Sequence, residues 1–455
     1  LFPKTGSIST LPLFIEGVPR RGEGVYFQYS IFNCMKVFVI TIGILWMALG
    51  SGIAQTLTVE EYRAKVLEYN QDIKQSREAV KAAIYALKGV KTGFFPKLQL
   101  SGNYSYQIED VEFMQGVDLK HNNYSAEAAL SQNVYAGSMV RKQQEAAKLQ
   151  KAIARLGEEL TTDNIVYAAD VSYWTLAANE SLLYISQEFV LIVKELDGIV
   201  QKRFDEGAIS KTDLLMVKTR LKEAELQEST RQMNYQTAMQ SFKIMMGVPL
   251  EEKWVIIDSI QKPVIVPGLQ PLEVALKRRA DYQIAVQDFN LTKQQTKIIR
   301  SKYLPQLAVG VKETWGTPLI NVSGDEKFAT VAFAKLSMPI FNWGEKRQYV
   351  KQNRTMETSK ELAMSKVEDQ VKEELANAWV KLNENWKQVE IANSTLEIAR
   401  ENLKLNTFSY NEGKLPILDV LSSQATWLQA YTNVVSANYQ YKVAYAEYVR
   451  ILGGR

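Results

Sequence analysis

Few side chains in this sequence are suited to making or breaking bonds. Its 455 residues hold one histidine, His121, and one cysteine, Cys34. A single imidazole cannot supply paired histidine ligands, and His121 stands in a polar stretch where a solvated loop residue is expected. No glycine-rich phosphate loop, no G-x-S-x-G and no H-E-x-x-H occurs. Glutamates are plentiful, but they recur at helical spacing like a solvated face. No enzyme, cofactor or metal site is expected. What remains is charge: Asp205 and Glu206 precede Gly207, and Glu412 precedes Gly413. Lys+Arg (54) and Asp+Glu (50) are interspersed and net to +4, which argues against a nucleic-acid partner.

The sharpest pattern belongs to a membrane rather than an active site. Leu98, Leu100, Gly102, Tyr104, Tyr106 and Ile108 alternate with Gln99, Ser101, Asn103, Ser105 and Gln107. This is the period of a strand with one apolar, aromatic face and one uncharged polar face. Tyr124, Ala126, Ala128 and Leu130 alternate likewise, then Leu307, Val309 and Val311, while 326–338 mixes phases around Val331, Ala332 and Phe333. Four such segments, paired across polar loops at 109–120 and 316–326, have the length an outer-membrane barrel needs. Four strands in lipid leave two unpaired edges, each unsatisfied group costing several kcal/mol, so several copies must close one ring. Two copies give eight strands and a filled interior; three give twelve, the smallest multiple with room for an open lumen.

These strands sit inside a duplication with a period near 206–209 residues. Phe95-Pro96-Lys97-Leu98 matches Leu304-Pro305-Gln306-Leu307. Ser131–Gly137 resembles Ser337–Gly344. Glu206-Gly207 and Asp213-Leu214-Leu215 match Glu412-Gly413 and Asp419-Val420-Leu421, and Met246-Gly247 matches Leu452-Gly453. Each half reads as a helix of about thirty residues (57–93 and 271–302), a strand pair (about 97–134 and 305–340) and a helical hairpin (138–247 and 344–452). The repeats are thus 55–247 and 271–455. The proline-rich stretch 248–270 joins them as a linker, with strand-like Trp254–Ile257.

The hairpins carry coiled-coil spacing. Leu375, Leu382, Val389, Leu396, Leu403 and Tyr410 recur every seven residues, with Val371, Ala378, Asn385, Ala392 and Ala399 offset by four. The first half repeats the seam at Ala169, Leu176, Leu183, Val190 and Phe204, with a polar break at Asp197. Val420, Trp427, Val434, Tyr441 and Tyr448 continue it in the last helix. Residues 138–204 lack proline, and one helix of that length spans roughly 100 Å. A rod that long suits a tunnel wall, or equally a periplasmic coiled-coil scaffold without a channel; the alternation at 97–108 argues against the scaffold.

At the N-terminus, Met35-Lys36, the apolar run Val37–Leu49 and the small residues before Gln55 read as a signal peptide over 35–54. A short retained anchor helix is the alternative. Residues 1–34 begin with Leu, precede Met35 and lack periodicity, and are expected to be a non-native upstream extension. Cleavage before Gln55 would remove Cys34, and with it disulfide, thiolate and lipid-cysteine chemistry.

The duplicated halves, the strand pairs, Leu336–Gly344 and the breaks Arg203–Leu215 and Tyr410–Leu421 resemble the TolC family of outer-membrane efflux and secretion channels across 55–455. The resemblance implies a mainly α chain with a membrane β-barrel portion. Long antiparallel coiled-coil helices form a tunnel, and four strands per protomer complete a trimeric 12-stranded barrel. It implies an outer-membrane location in a Gram-negative bacterium, a homotrimer, a periplasmic adaptor protein, and an inner-membrane pump of RND or ABC type. The breaks would be the tunnel's inner tips, with Gly207, Asp213, Leu214, Gly413, Asp419 and Val420 as candidate adaptor contacts. Asp205, Glu206 and Glu412 would be tunnel-end acids, and Leu98, Leu100, Tyr104 and Tyr106 the lipid face. Taken alone, Gly207 and Gly413 suit left-handed turns, while Asp213 and Asp419 read as helix-start residues.

Overall fold

The computed structural model describes residues 55–114, 116–261, 267–318 and 320–454. The upstream extension, the signal segment, Cys34 and Pro263 lie outside the described residues. The chain divides into two compact units, Leu1–Thr56 with Lys253–Val255, and Leu57–Glu252 with Ile256–Arg455. In the first, Gln55, Thr56, Trp254 and Val255 belong to a two-stranded ribbon, β1 (Gln55–Leu57) with β6 (Trp254–Ile256).

In the second unit the chain order is α1 (Val59–Tyr69), α2 (Gln71–Lys91), β2 (Lys97–Tyr106), β3 (Glu112–Met114), β4 (Val117–Asp118), β5 (Asn122–Ala136), α3 (Met139–Asp205) and α4 (Lys211–Met246). After the linker come α5 (Leu272–Arg278), α6 (Ala280–Ser301), β7 (Gln306–Gly316), β8 (Lys327–Ser337), α7 (Glu345–Asn411) and α8 (Ile417–Ile451). The duplication is visible directly: α3 and α7 are both 67 residues long.

Each opening helix is broken in two, against the expectation of one continuous element. Asn70 takes φ −54°, ψ 131° and its side chain accepts from the amides of Asp72 and Ile73, capping α2. Arg279 is extended at the matching place, and its guanidinium binds Asp281 and, at 2.5 Å, Glu374 on α7. A strong helix pattern was thus interrupted by side chains that bond elsewhere.

The seven-residue seam is the core. Val371, Leu375, Ala378, Leu382, Val389, Leu396 and Ala399 are buried, as are Val420, Trp427, Val434, Tyr441 and Tyr448 facing them. The first half follows until Asp197. There Val193, Leu196 and Val200 are buried instead, so the seam slips by one residue around the acid. At the start of α1, the Tyr62 ring stacks on Phe242 at 4.1 Å, and the Tyr173 hydroxyl donates to the Leu57 carbonyl at 3.0 Å. Both hydroxyls are desolvated, which pushes their pKa values far up.

The four long strands form one antiparallel sheet ordered β2-β5-β7-β8, so the two halves meet at β5–β7. Strand and helix neighbours match: α2, α3, α6 and α7 lie side by side in that order. The loop 109–120 is not simply irregular; it holds the small β3–β4 ribbon.

Candidate channel wall and helical tips

Pairing assigns every strand residue to a face. Leu98, Leu130, Val311 and Ala332 stand in one row across the sheet. Gly102, Ala126, Trp315 and Phe328 stand in another, and Tyr104 opposes Tyr124. These rows are apolar from edge to edge, and the phase left mixed in 326–338 is resolved in favour of Phe328, Ala332 and Leu336. Leu98, Leu100, Tyr104 and Tyr106 are 76%, 78%, 68% and 56% exposed. Among the described strand residues one charge sits here, Glu313, which accepts from the Thr330 hydroxyl. The opposite face carries Gln99, Ser101, Asn103, Ser125 and Ser131, with Lys312 paired to Glu127 at 2.9 Å. Its chemistry suits a wet passage, and that of the first face suits hydrocarbon.

Aromatic residues bracket the apolar face. Tyr104, Tyr106, Trp315 and Phe328 lie toward one end; Phe95, Phe341 and Trp343, 66%, 69% and 90% exposed, lie where the strands give way to helices. Tyr104 and Phe95 are nine positions apart, roughly 30 Å of strand. Aromatic girdles at such a separation suit the two interfaces of a bilayer. The girdle at 341–343 was not anticipated, because it comes from residues outside the alternating segments. The strand-to-helix turns use paired left-handed residues in both halves, Gly137-Ser138 (φ 58° and 60°) and Trp343-Gly344 (φ 45° and 79°).

At the other end, α3–α4 and α7–α8 each close through a matching turn. Gly207 and Gly413 both have φ 72°, and each donates to the carbonyl three residues back, Phe204 and Tyr410. Ala208 and Lys414 complete the motif by donating to Arg203 and Ser409. The following helix starts differ. Ser210 and Asp213 form a reciprocal capping box, the Asp213 amide donating to Ser210 Oγ at 3.1 Å. Pro416 takes the cap position of α8 without a side-chain bond, and Asp419 sits in its first turn. Leu214 and Val420 are 7% and 0% exposed, packed between the hairpins with Leu196, Val200, Val217 and Ile417. Their neighbours Leu215 and Leu418, at 53% and 59%, face outward instead. Asp205, Glu206 and Glu412 are exposed, and Asp205 accepts from Gln201 at 2.9 Å.

The tips are tied by a residue to which sequence reasoning gave no role. Arg203 donates to the Tyr410 carbonyl at 3.1 Å and to the Asn411 carbonyl at 2.7 Å, with its guanidinium 4.8 Å from the Tyr410 ring centre. Burial pushes the Tyr410 phenol up, against the pull of the Arg203 charge. The signal was present as an asymmetry: the repeat places Ser409 where the first half has Arg203.

The comparisons agree with this geometry. Residues 63–248 and 272–454 match the family described as "Outer membrane efflux protein". "Nodulation protein T" of Rhizobium leguminosarum bv. trifolii is 21% identical over 398 residues, covering 85% of this chain and 83% of that protein. A membrane protein from Pseudomonas aeruginosa is 15% identical at TM-score 0.76, over 87% of this chain and 90% of its own. The Campylobacter jejuni CmeC outer membrane channel is 16% identical at TM-score 0.74, over 87% and 85%. These structural likenesses bear on the fold, which is that of TolC-type channels, and the family match spans both repeats. The chain belongs to the outer membrane efflux protein family and serves as a channel subunit of an efflux pump, set in the outer membrane and extending into the periplasm.

Proposed function

We propose that three copies close into a twelve-stranded barrel continued by a helical tunnel, a passive exit duct. The observation that carries this reading is the sheet's two edges. β2 and β8 are ten and eleven residues long, have neighbours on one side only, and are exposed at almost every position. In lipid such edges are untenable, and joining β8 of one copy to β2 of the next removes both.

The tips are the docking end for a periplasmic adaptor, with an inner-membrane pump of RND or ABC type beyond it. The exposed Leu215 and Leu418 offer the apolar contact. Leu214 and Val420 act from beneath, by fixing the turns that Gly207, Gly413, Asp213 and Asp419 shape. Three copies of Asp205, Glu206 and Glu412 would ring the tunnel's end with negative charge and favour cations. The scaffold alternative gains nothing from an apolar sheet face.

Native mass spectrometry of the detergent-extracted protein tests the assembly. The expected mass is that of three chains. A monomer in mild detergent, with β2 and β8 exchanging amide hydrogens freely, would overturn it.

A further inference from the structure

One groove is not used by the channel reading. It lies open to solvent between the C-terminal end of α6 and the first turns of α7, just past the feet of β7 and β8, with a volume of about 730 Å³. Its charged lining is uniformly cationic: Arg300, Lys346, Arg347, Lys351 and Arg354, set around the apolar Leu304. Among the described residues none of these five forms an ion pair. The nearest acid in sequence, Glu345, is engaged by the Asn342 amide at 3.1 Å. Five cations without an ion-pair partner line one groove and repel one another, and an anion would relieve that repulsion.

Position identifies the anion. The groove begins beside Trp343 and Phe341, whose rings meet edge-on at 5.0 Å and mark the end of the apolar sheet face. Arg354 is eleven residues past Trp343, roughly 16 Å along the helix. The interfacial layer on each side of a bilayer is about 5–8 Å thick. Lys346 and Arg347 therefore fall within it, the long side chain of Lys351 can reach up to it, and Arg354 adds its charge from just beyond. Both walls come from one chain, so the groove exists in each subunit whatever its partners.

We infer that this groove binds the phosphodiester headgroup of an acidic glycerophospholipid in the periplasmic leaflet, with Leu304 against its glycerol end. Basic grooves at a membrane surface recognise such headgroups through charge and hydrogen bonding. The inference rests on the outer-membrane reading above, but it adds a ligand and a site.

The test compares the full-length protein in detergent with the combined variant Arg347→Gln, Lys351→Gln, Arg354→Gln, titrated with phosphatidylglycerol, phosphatidylethanolamine or inorganic phosphate. Phosphatidylglycerol should bind the unsubstituted protein and weaken with salt. Three charges at about 1 kcal/mol each predict about a hundredfold weaker binding by the variant. Phosphatidylethanolamine should not saturate the site, and inorganic phosphate should not displace the lipid at equal concentration. Equal phosphatidylglycerol binding by the two proteins would overturn the inference, as would displacement by inorganic phosphate. So would a variant whose lipid binding is intact but whose single-channel ion selectivity is altered, since the cations would then face the passage. Conductance of the unsubstituted protein in the same preparation reports on the channel reading separately.

Discussion

Replacing Arg203 by alanine should loosen the inner tips without disturbing the rest of the molecule. The guanidinium makes two charge-assisted hydrogen bonds to carbonyls of the opposite hairpin, at 3.1 and 2.7 Å, and lies 4.8 Å from the Tyr410 ring centre. Charge-assisted hydrogen bonds contribute about 1.5–3 kcal/mol each when desolvated, and an exposed cation–π contact about 0.5–1 kcal/mol. One of the two hydrogen bonds is solvent-exposed, so the net cost is placed nearer 2–3 kcal/mol than the sum. The apolar cluster of Leu196, Val200, Leu214 and Val420 stays in place, so the loss falls on local opening rather than global unfolding. Hydrogen exchange over 197–217 and 404–422 should therefore quicken by about 30- to 150-fold, while exchange along Val371–Leu382 is unchanged. Asp205→Asn is the control, since among the described residues the Asp205 carboxylate is bonded by Gln201 of its own helix. Unchanged exchange at both tips in the Arg203 variant would refute the argument that this residue ties the hairpins.

Gly247→Ala and Gly207→Ala share nearly the same φ, 71° and 72°, but a Cβ at 247 would lie 2.2 Å from the Tyr69 ring while 207 is open. The first should cost more than about 3 kcal/mol and the second about 1–2 kcal/mol, read as a difference in denaturation midpoint. Burial works against ionisation of Asp281, yet the Arg279 hydrogen bond and charge, helped by the Tyr282 amide, hold its pKa below the usual range. A depressed carboxylate stabilises the fold above its unfolded pKa of about 3.9 and loses that contribution as pH falls through the folded value. Arg279→Gln should therefore be destabilised most at neutral pH, and the gap to the unsubstituted protein should narrow on acidification below about 4, followed by circular dichroism.

The sequence made much of this legible, because the strongest signals were periodic. Seven-residue recurrence located the buried seam at Leu375, Leu382 and Leu396, and alternation located the apolar face at Leu98, Leu100 and Tyr104. Both depend on local geometry alone. Signals that failed depended on partners far along the chain. The face of Phe328 and Leu336 could not be read from their own segment, because it is set by pairing with β7. The bulge between Asn133 and Tyr135, which shifts register against Leu307, likewise has no local mark. Leu214 and Val420 occupied the predicted tips, but only packing reveals that they point inward. Arg203 escaped notice because an arginine near a helix end is ordinarily a favourable dipole contact and nothing more. Its partners lie more than two hundred residues away.

Single-channel recording in a planar lipid bilayer tests the central claim most directly. The mature polypeptide should insert and give discrete, reproducible conductance steps in salt, as expected of copies closed with the apolar face outward and the polar face inward. A protein that stays soluble without detergent as a monomer, and adds no conductance to the bilayer, would contradict it.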